Sequence, residues 1–195
     1  QHRGQDAAGM VVCEPSGKLN SRKSKGYVRD VFQQTHMNNL QGNIGIGHVR
    51  YPTAGGVGKE FAQPMYVNTP YGISLAHNGN LTNSKKLAAE LFHAERRHIN
   101  TESDSEVLLN IFALELSKQE AVFPKPKDFF AAVEKTHLRI NGAYAVVALI
   151  TGYGILAFRD PLGIRPLTIG VRKGENRNEY VVSSETAHFS ATGFK

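Results

Sequence analysis

Three short stretches of this 195-residue chain carry side chains suited to work on a polar ligand. The first is GHVRYPTAG, Gly47 to Gly55, which puts a cation (Arg50), an aromatic ring (Tyr51) and a hydroxyl (Thr53) where a strand gives way to irregular backbone. A guanidinium delivered there is a natural fork for a carboxylate or phosphate, and equally a partner in a structural ion pair at a strand end. The second is Asn78-Gly79. The pair is the strongest short hairpin signal, so a type I′ turn is one reading. The other is that the Asn78 amide and the Gly79 N–H converge on one spot, as the stabilisation of a developing oxyanion requires. The third is Asp104, at the start of a helix opened by Ser103 with Glu106 three residues on, a capping-box pattern. Positions 104, 107, 108 and 111 are Asp, Val, Leu and Ile, so the carboxylate is expected in line with the apolar stripe, facing inward. There it either complements the helix dipole or meets a ligand's ammonium.

The elements that must hold these groups follow from pattern. Ala8 to Val12 read as a strand and EPSG as a turn, giving a hairpin into the polar stretch from Lys18. Arg3, Gly4 and Asp6 read as a glycine turn with one ion pair. Val31 to Leu40 is expected as a short amphipathic helix. GNIGIG, with glycine at alternate positions, is a strand approached closely by other backbone; Pro52, Gly55 and Gly56 end it. Tyr71 to His77 alternates as a strand ending in Asn78, Gly79 and Asn80. Thr82 or Asn83 then caps the helical pattern SKKLAAELFHAE, which leaves no return strand for a simple hairpin. After Pro124 and Pro126 a third helix runs from Asp128 to about Arg139, with Phe129, Ala132, Val133 and Thr136 on one side. The chain then turns to strand: AYAVVALI, GILAF, LTIGV and YVVSS, whose near-continuous apolarity implies burial on both faces. RDPLGIRPL reads as a rigid structural loop. Strands, then helices, then strands indicate an α+β fold with mostly antiparallel sheets. GNIGIG lacks the spacing of a dinucleotide loop and leads into Pro52 instead of a helix.

Composition narrows the function classes. Hydrophobic content of 41% and charged content of 21% are those of an ordinary globular protein. No run is long and apolar enough for a membrane helix and no leader pattern opens the chain, so a cytoplasmic protein without membrane partners is expected. The net charge of +6 is spread along the chain. Its one cluster, Arg22, Lys23 and Lys25, lacks interleaved aromatics and reads as a solvated turn, which argues against nucleic acid and fits small anionic ligands. The single cysteine, Cys13, excludes an internal disulfide framework and any cysteine-rich metal site within these residues. Lying inside a strand, it reads as a small buried hydrophobe.

Taken in order, QHRGQDAAGM, GHVRYPTAG, AHNGNLTN, HINTESDSE, GAYAVVALI and FRDPLGIRPL closely resemble the class II glutamine amidotransferase domain of the bacterial amidophosphoribosyltransferase family, over Gln1 to about Leu167. The resemblance implies an N-terminal-nucleophile hydrolase fold, a four-layer αββα sandwich of mostly antiparallel sheets. It implies glutamine as substrate and an N-terminal cysteine that attacks the side-chain amide, with its own α-amine as general base. On the matching motifs, Arg50 would hold the α-carboxylate, Asp104 the α-ammonium, and Asn78 with Gly79 the oxyanion, with Tyr51 and Thr53 lining the pocket.

The same resemblance sets expectations about extent. Residues 1–195 are expected to be a partial amidotransferase domain, without the strand that bears the nucleophilic cysteine and without the phosphoribosyltransferase domain. That domain would bind phosphoribosyl diphosphate with magnesium; no cofactor is expected in this chain, and the parent is expected to be a homo-oligomer. Cys13 cannot stand in, because its nitrogen is an amide. The chain alone is therefore expected to be inactive, and unstable or prone to aggregate if the first strand is internal to a sheet. The alternative is a module that binds glutamine or a partner domain without chemistry.

Overall fold

The computed structural model describes residues 2–51, 58–187 and 189–195. Its elements run β1 (Ala7–Cys13), β2 (Leu19–Lys25), α1 (Val28–Val31), α2 (Gln34–Asn39), β3 (Ile44–Arg50), β4 (Met65–Val67), β5 (Ile73–Leu81), α3 (Ser84–His93), α4 (Asp104–Ser117), α5 (Pro126–Arg139), β6 (Gly142–Ile150), β7 (Gly154–Arg159), β8 (Thr168–Lys173), β9 (Asn178–Ser183) and α6 (Phe189–Thr192). All strand pairings are antiparallel, in the orders β2-β1-β3, β4-β5-β6-β7 and β8-β9. The expected α+β class with antiparallel sheets is what forms.

β6 explains the layering. Tyr144, Val146, Ala148 and Ile150 join the core beneath α3, α4 and α5, whereas Leu149 and Val147 join Val11, Cys13 and Ile46 of the first sheet. Alternate side chains of a strand point to opposite faces, so one strand closes two cores, and helices, second sheet and first sheet stack in that order. β3 lies against β5, β6 and β7, and α1 packs on β1 and β2 at the far side of the first sheet. α4 is the deepest helix: Ser105 and every residue from Val107 to Leu116 are buried. Arg139 of α5 ties it to α3, its guanidinium pairing with both Glu115 and Glu90.

Several local readings change. The expected helix 31–40 is broken into α1 and α2 at Phe32 and Gln33, and no residue of α2 is buried, because QTHMNN offers no apolar stripe to pack. The basic cluster lies on β2 and not on a turn; Arg22 Nε donates to the Val31 carbonyl and Lys23 Nζ to that of Pro64. α4 has no single stripe, being enclosed on all sides. Ser103 caps it by accepting from Ser105 N, but Glu106 turns back to Asn100 N, Thr101 N and Thr101 Oγ1, so the reciprocal box does not form. β6 is buried on both faces as its sequence requires. β8 and β9 are not: they form a two-stranded ribbon on which Ile169 and Tyr180 are about 70% exposed.

Candidate functional site

Arg50 is the last residue of β3, and β1 holds its position. Ala7 lies opposite Arg50 in the ladder, and Asp6 N donates to the Arg50 carbonyl at 3.1 Å. The adjoining Gly4 is there because a Cβ would lie 2.6 Å from Val49 backbone. The Asp6 carboxylate accepts from Arg50 Nη1, both side chains are about nine-tenths buried, and the guanidinium lies 5.3 Å from the Phe61 ring centre. The strand-end ion pair is thus real. It does not by itself decide against the fork, because Arg50 also lines an open cavity. Arg3, read earlier beside Asp6, pairs instead with Glu185, which His2 also approaches. Tyr51 follows and is 68% exposed. Thr53 and the expected loop breakers Pro52, Gly55 and Gly56 lie outside the described residues.

Asn78-Gly79 forms no turn. β5 runs straight through it, with Asn78 opposite Ala145 and Gly79 opposite Tyr144. The glycine is dictated by approach: φ is +152°, and a Cβ would lie 2.0 Å from the Ala143 carbonyl oxygen. Asparagine and glycine here are strand residues at a pinch between β5 and β6, which the hairpin signal could not distinguish from a turn.

Asp104, the first residue of α4, reaches the same strand. Its Oδ2 accepts from Leu81 N at 2.9 Å, and its Oδ1 is 3.8 Å from His77 Nδ1. His77 is enclosed; Nδ1 meets Ser105 Oγ at 3.0 Å, while Nε2 has no hydrogen-bond partner among the described residues. Burial pushes its pKa down, with Asp104 opposing and Arg165 adding to the shift. His48, on β3, is pushed down to about 4 by burial, with smaller contributions from His77 and Arg50. Both imidazoles are therefore neutral near pH 7.

Arg50, Tyr51, Asn78, Gly79 and Asp104 all line one open cavity of 1370 Å³ between the sheet ends. A cation and an anion share its wall with the Asn78 side-chain amide, a set that suits a zwitterionic ligand carrying a polar side chain. Cys13 is absent from that wall; it is buried in the intersheet core, with its thiol directed to the Glu14 carbonyl. Among the described residues no group of three His, Cys, Asp or Glu side chains could hold a metal ion, and no helix is long and apolar enough to cross a membrane. Sequence reading missed Asp6 as the partner of Arg50, both histidines, and Gln63, whose side chain reaches β5. The one available signal was a histidine directly before each site stretch, His48 before Val49-Arg50 and His77 before Asn78.

Comparison with known proteins gives concordant findings. The model of the family described as glutamine amidotransferase domain matches residues 57–191. The amidophosphoribosyltransferase of Pseudomonas aeruginosa is 58% identical over 194 residues, covering 100% of this chain and 38% of that protein. That of Escherichia coli is 56% identical over 195 residues, covering 100% and 39%. Among solved structures, the glutamine phosphoribosylpyrophosphate amidotransferase of B. subtilis complexed with ADP and GMP superposes with a TM-score of 0.80 at 32% identity, covering 100% of this chain and 39% of that one. The chain thus spans about two-fifths of the length of the curated relatives it matches.

Proposed function

Because this chain belongs to the glutamine amidotransferase domain family, we propose that it is the glutaminase part of an amidophosphoribosyltransferase. It hydrolyses the side-chain amide of glutamine and supplies the ammonia to a phosphoribosyltransferase domain, which makes 5-phosphoribosylamine from phosphoribosyl diphosphate for purine synthesis. The observation that carries this reading is the shared cavity wall: Arg50 and Asp104 offer opposite charges for an α-carboxylate and an α-ammonium, and Asn78 and Gly79 lie on the strand beside them. Tyr51 and Thr53 belong to the same pocket in this reading, and a cytoplasmic location and a homo-oligomeric parent are part of the proposal.

With the two charged ends of glutamine fixed, its side-chain carbonyl is directed to Asn78 and Gly79. A cysteine thiolate attacks the amide carbon, and the carbonyl electron pair moves onto oxygen, where the Asn78 amide and the Gly79 N–H stabilise it. Collapse breaks the C–N bond. The nitrogen takes the proton held by the nucleophile's base and leaves as ammonia, and water then cleaves the thioester to glutamate. The nucleophile is an N-terminal cysteine outside residues 1–195, whose α-amine, titrating near pH ~8, serves as base. Cys13 cannot act: it is buried in β1 and its nitrogen is an amide.

Ammonia release from glutamine, assayed on this chain and on a form extended to begin with cysteine, tests the proposal. The extended form is expected to be active and this chain inactive; release by this chain that is abolished in Cys13→Ala refutes it. The burial of the only cysteine away from the cavity favours a second reading for these residues alone, a glutamine-binding module without chemistry. Calorimetric titration of this chain with glutamine tests that one, and binding that survives Arg50→Ala removes the carboxylate fork from either.

A further inference from the structure

The site strand β5 has one side paired to β6 along its whole length. On the other side β4 pairs only with Ile73 to Leu75. Main-chain N–H groups of a strand alternate sides, so those of Leu75, His77, Gly79 and Leu81 all face this second edge. Beyond Leu75 the edge is finished by side chains. His77 N donates to Gln63 Oε1 at 2.7 Å, and Leu81 N donates to Asp104 Oδ2 at 2.9 Å. The Gly79 N–H stands between these two.

The register shows what Gln63 does. Met65 is opposite Leu75 and Val67 opposite Ile73, so a continued β4 would bring residue 63 opposite His77. The main chain at Gln63 has already left that line. Its carbonyl rests on Gly9 of β1, where a Cβ would lie 1.9 Å from the oxygen. The side chain reaches back instead and takes the ladder position its main chain has vacated. Gln63 is 7% exposed and lines the cavity.

We propose that Gln63 is a positioning residue for the oxyanion-binding strand: by replacing a ladder carbonyl at His77 it ends the β4 pairing one step short of Gly79. The Gly79 N–H is thereby left for the reacting oxygen while its neighbours stay clamped. A continued strand would consume that donor, and a bare edge would let β5 shift. The assignment rests on the proposed glutaminase function, and it is one that no motif in the sequence pointed to.

The discriminating property is acceptance alone. His77 N–H can only donate, so a carboxylate at 63 replaces the amide and a leucine does not. In the full-length protein carrying this sequence, Gln63→Leu is expected to lower kcat for glutamine hydrolysis roughly ten- to a hundred-fold with KM changed less than about threefold, the scale of a misplaced oxyanion donor. Gln63→Glu is expected to recover most of that loss. A purely structural role would not separate kcat from KM or follow acceptor chemistry. A Gln63→Leu kcat within twofold of the parent overturns the assignment, as does a loss that Gln63→Glu shares in full. Should Gln63→Leu fail to fold, Gln63→Asn decides, since its amide is one methylene too short: an unchanged kcat overturns the proposal and a selective kcat loss supports it. A parent without glutaminase activity overturns the functional reading beneath it, which is a distinct result from an active parent indifferent to residue 63.

Discussion

Replacing Asp104 with asparagine separates its two possible roles, because the structural one survives the change and the ligand-binding one does not. An asparagine Oδ1 can still accept from Leu81 N, the contact Asp104 makes at 2.9 Å. What disappears is a negative charge at the first turn of α4, worth ~0.5 kcal/mol of helix stability. At the ligand the loss is larger. Two unit charges 4 Å apart interact with about 4 kcal/mol at an effective dielectric of 20. The Asp104 side chain is 24% exposed to the water of the cavity, and that solvation reduces the figure to about 1.5–3 kcal/mol. At about 1.4 kcal/mol per decade, KM for glutamine rises some ten- to a hundred-fold. kcat changes little, since the ammonium is equally charged in ground and transition states. Steady-state glutaminase kinetics on the full-length protein read both constants, beside urea denaturation of parent and variant. The sharper assay adds glutamine lacking its α-amino group: the parent discriminates against it and Asp104→Asn loses that discrimination. A KM within twofold of the parent refutes the ammonium assignment, as does an equal loss on both substrates.

Two further outcomes follow from the same geometry. Gly79→Ala places a methyl 2.0 Å from the Ala143 carbonyl on backbone at φ +152°, and is expected to cost about 2–4 kcal/mol in urea denaturation together with at least a tenfold fall in kcat; a variant as stable and active as the parent contradicts the pinch between β5 and β6. For His48 the folded pKa of about 4 lies below the ordinary 6.5, so between these values the unfolded chain binds a proton that the folded one refuses. Its contribution is complete above pH 6.5 and is lost as pH falls toward 4, up to about 3 kcal/mol. Denaturation across that window measures the slope, and His48→Gln is expected to flatten it.

The sequence made some of this legible for definite reasons. β6 was readable because GAYAVVALI is apolar on both alternating faces and both faces meet a core. α5 was readable because Phe129, Ala132, Val133 and Thr136 fall at helical spacing and one side is buried. LTIGV and YVVSS also read as apolar strands, yet among the described residues their ribbon pairs with no other strand, and composition does not say which face finds a partner. Glu106 at the capping-box position went elsewhere because the preceding loop offered three donors at Asn100 and Thr101. At the site, residue types spoke for themselves and their partners did not. Arg50 could be seen as a fork or an ion pair, but Asp6 lies 44 residues away and meets it only through the β1-β3 register. Gln63 gave no local signal, because its role exists only where β4 turns aside.

The enclosure of α4 bears on how this protein can change. Its first turn carries Asp104 to the cavity, and eleven of the twelve residues from Ser105 to Leu116, all but Glu106, are buried between α3, α5 and the second sheet. Each large apolar side chain there is worth about 1.5–3 kcal/mol, and a substitution among them is expected to disturb the helix that carries Asp104. Under the proposed function, stability and substrate affinity are therefore expected to be inherited together along this helix, so that a mutational library targeted to it yields few variants altered in one and not the other. Variation that retunes recognition without unfolding the domain has to enter elsewhere, through residues such as Tyr51 that stand on the cavity rim outside the packed layers.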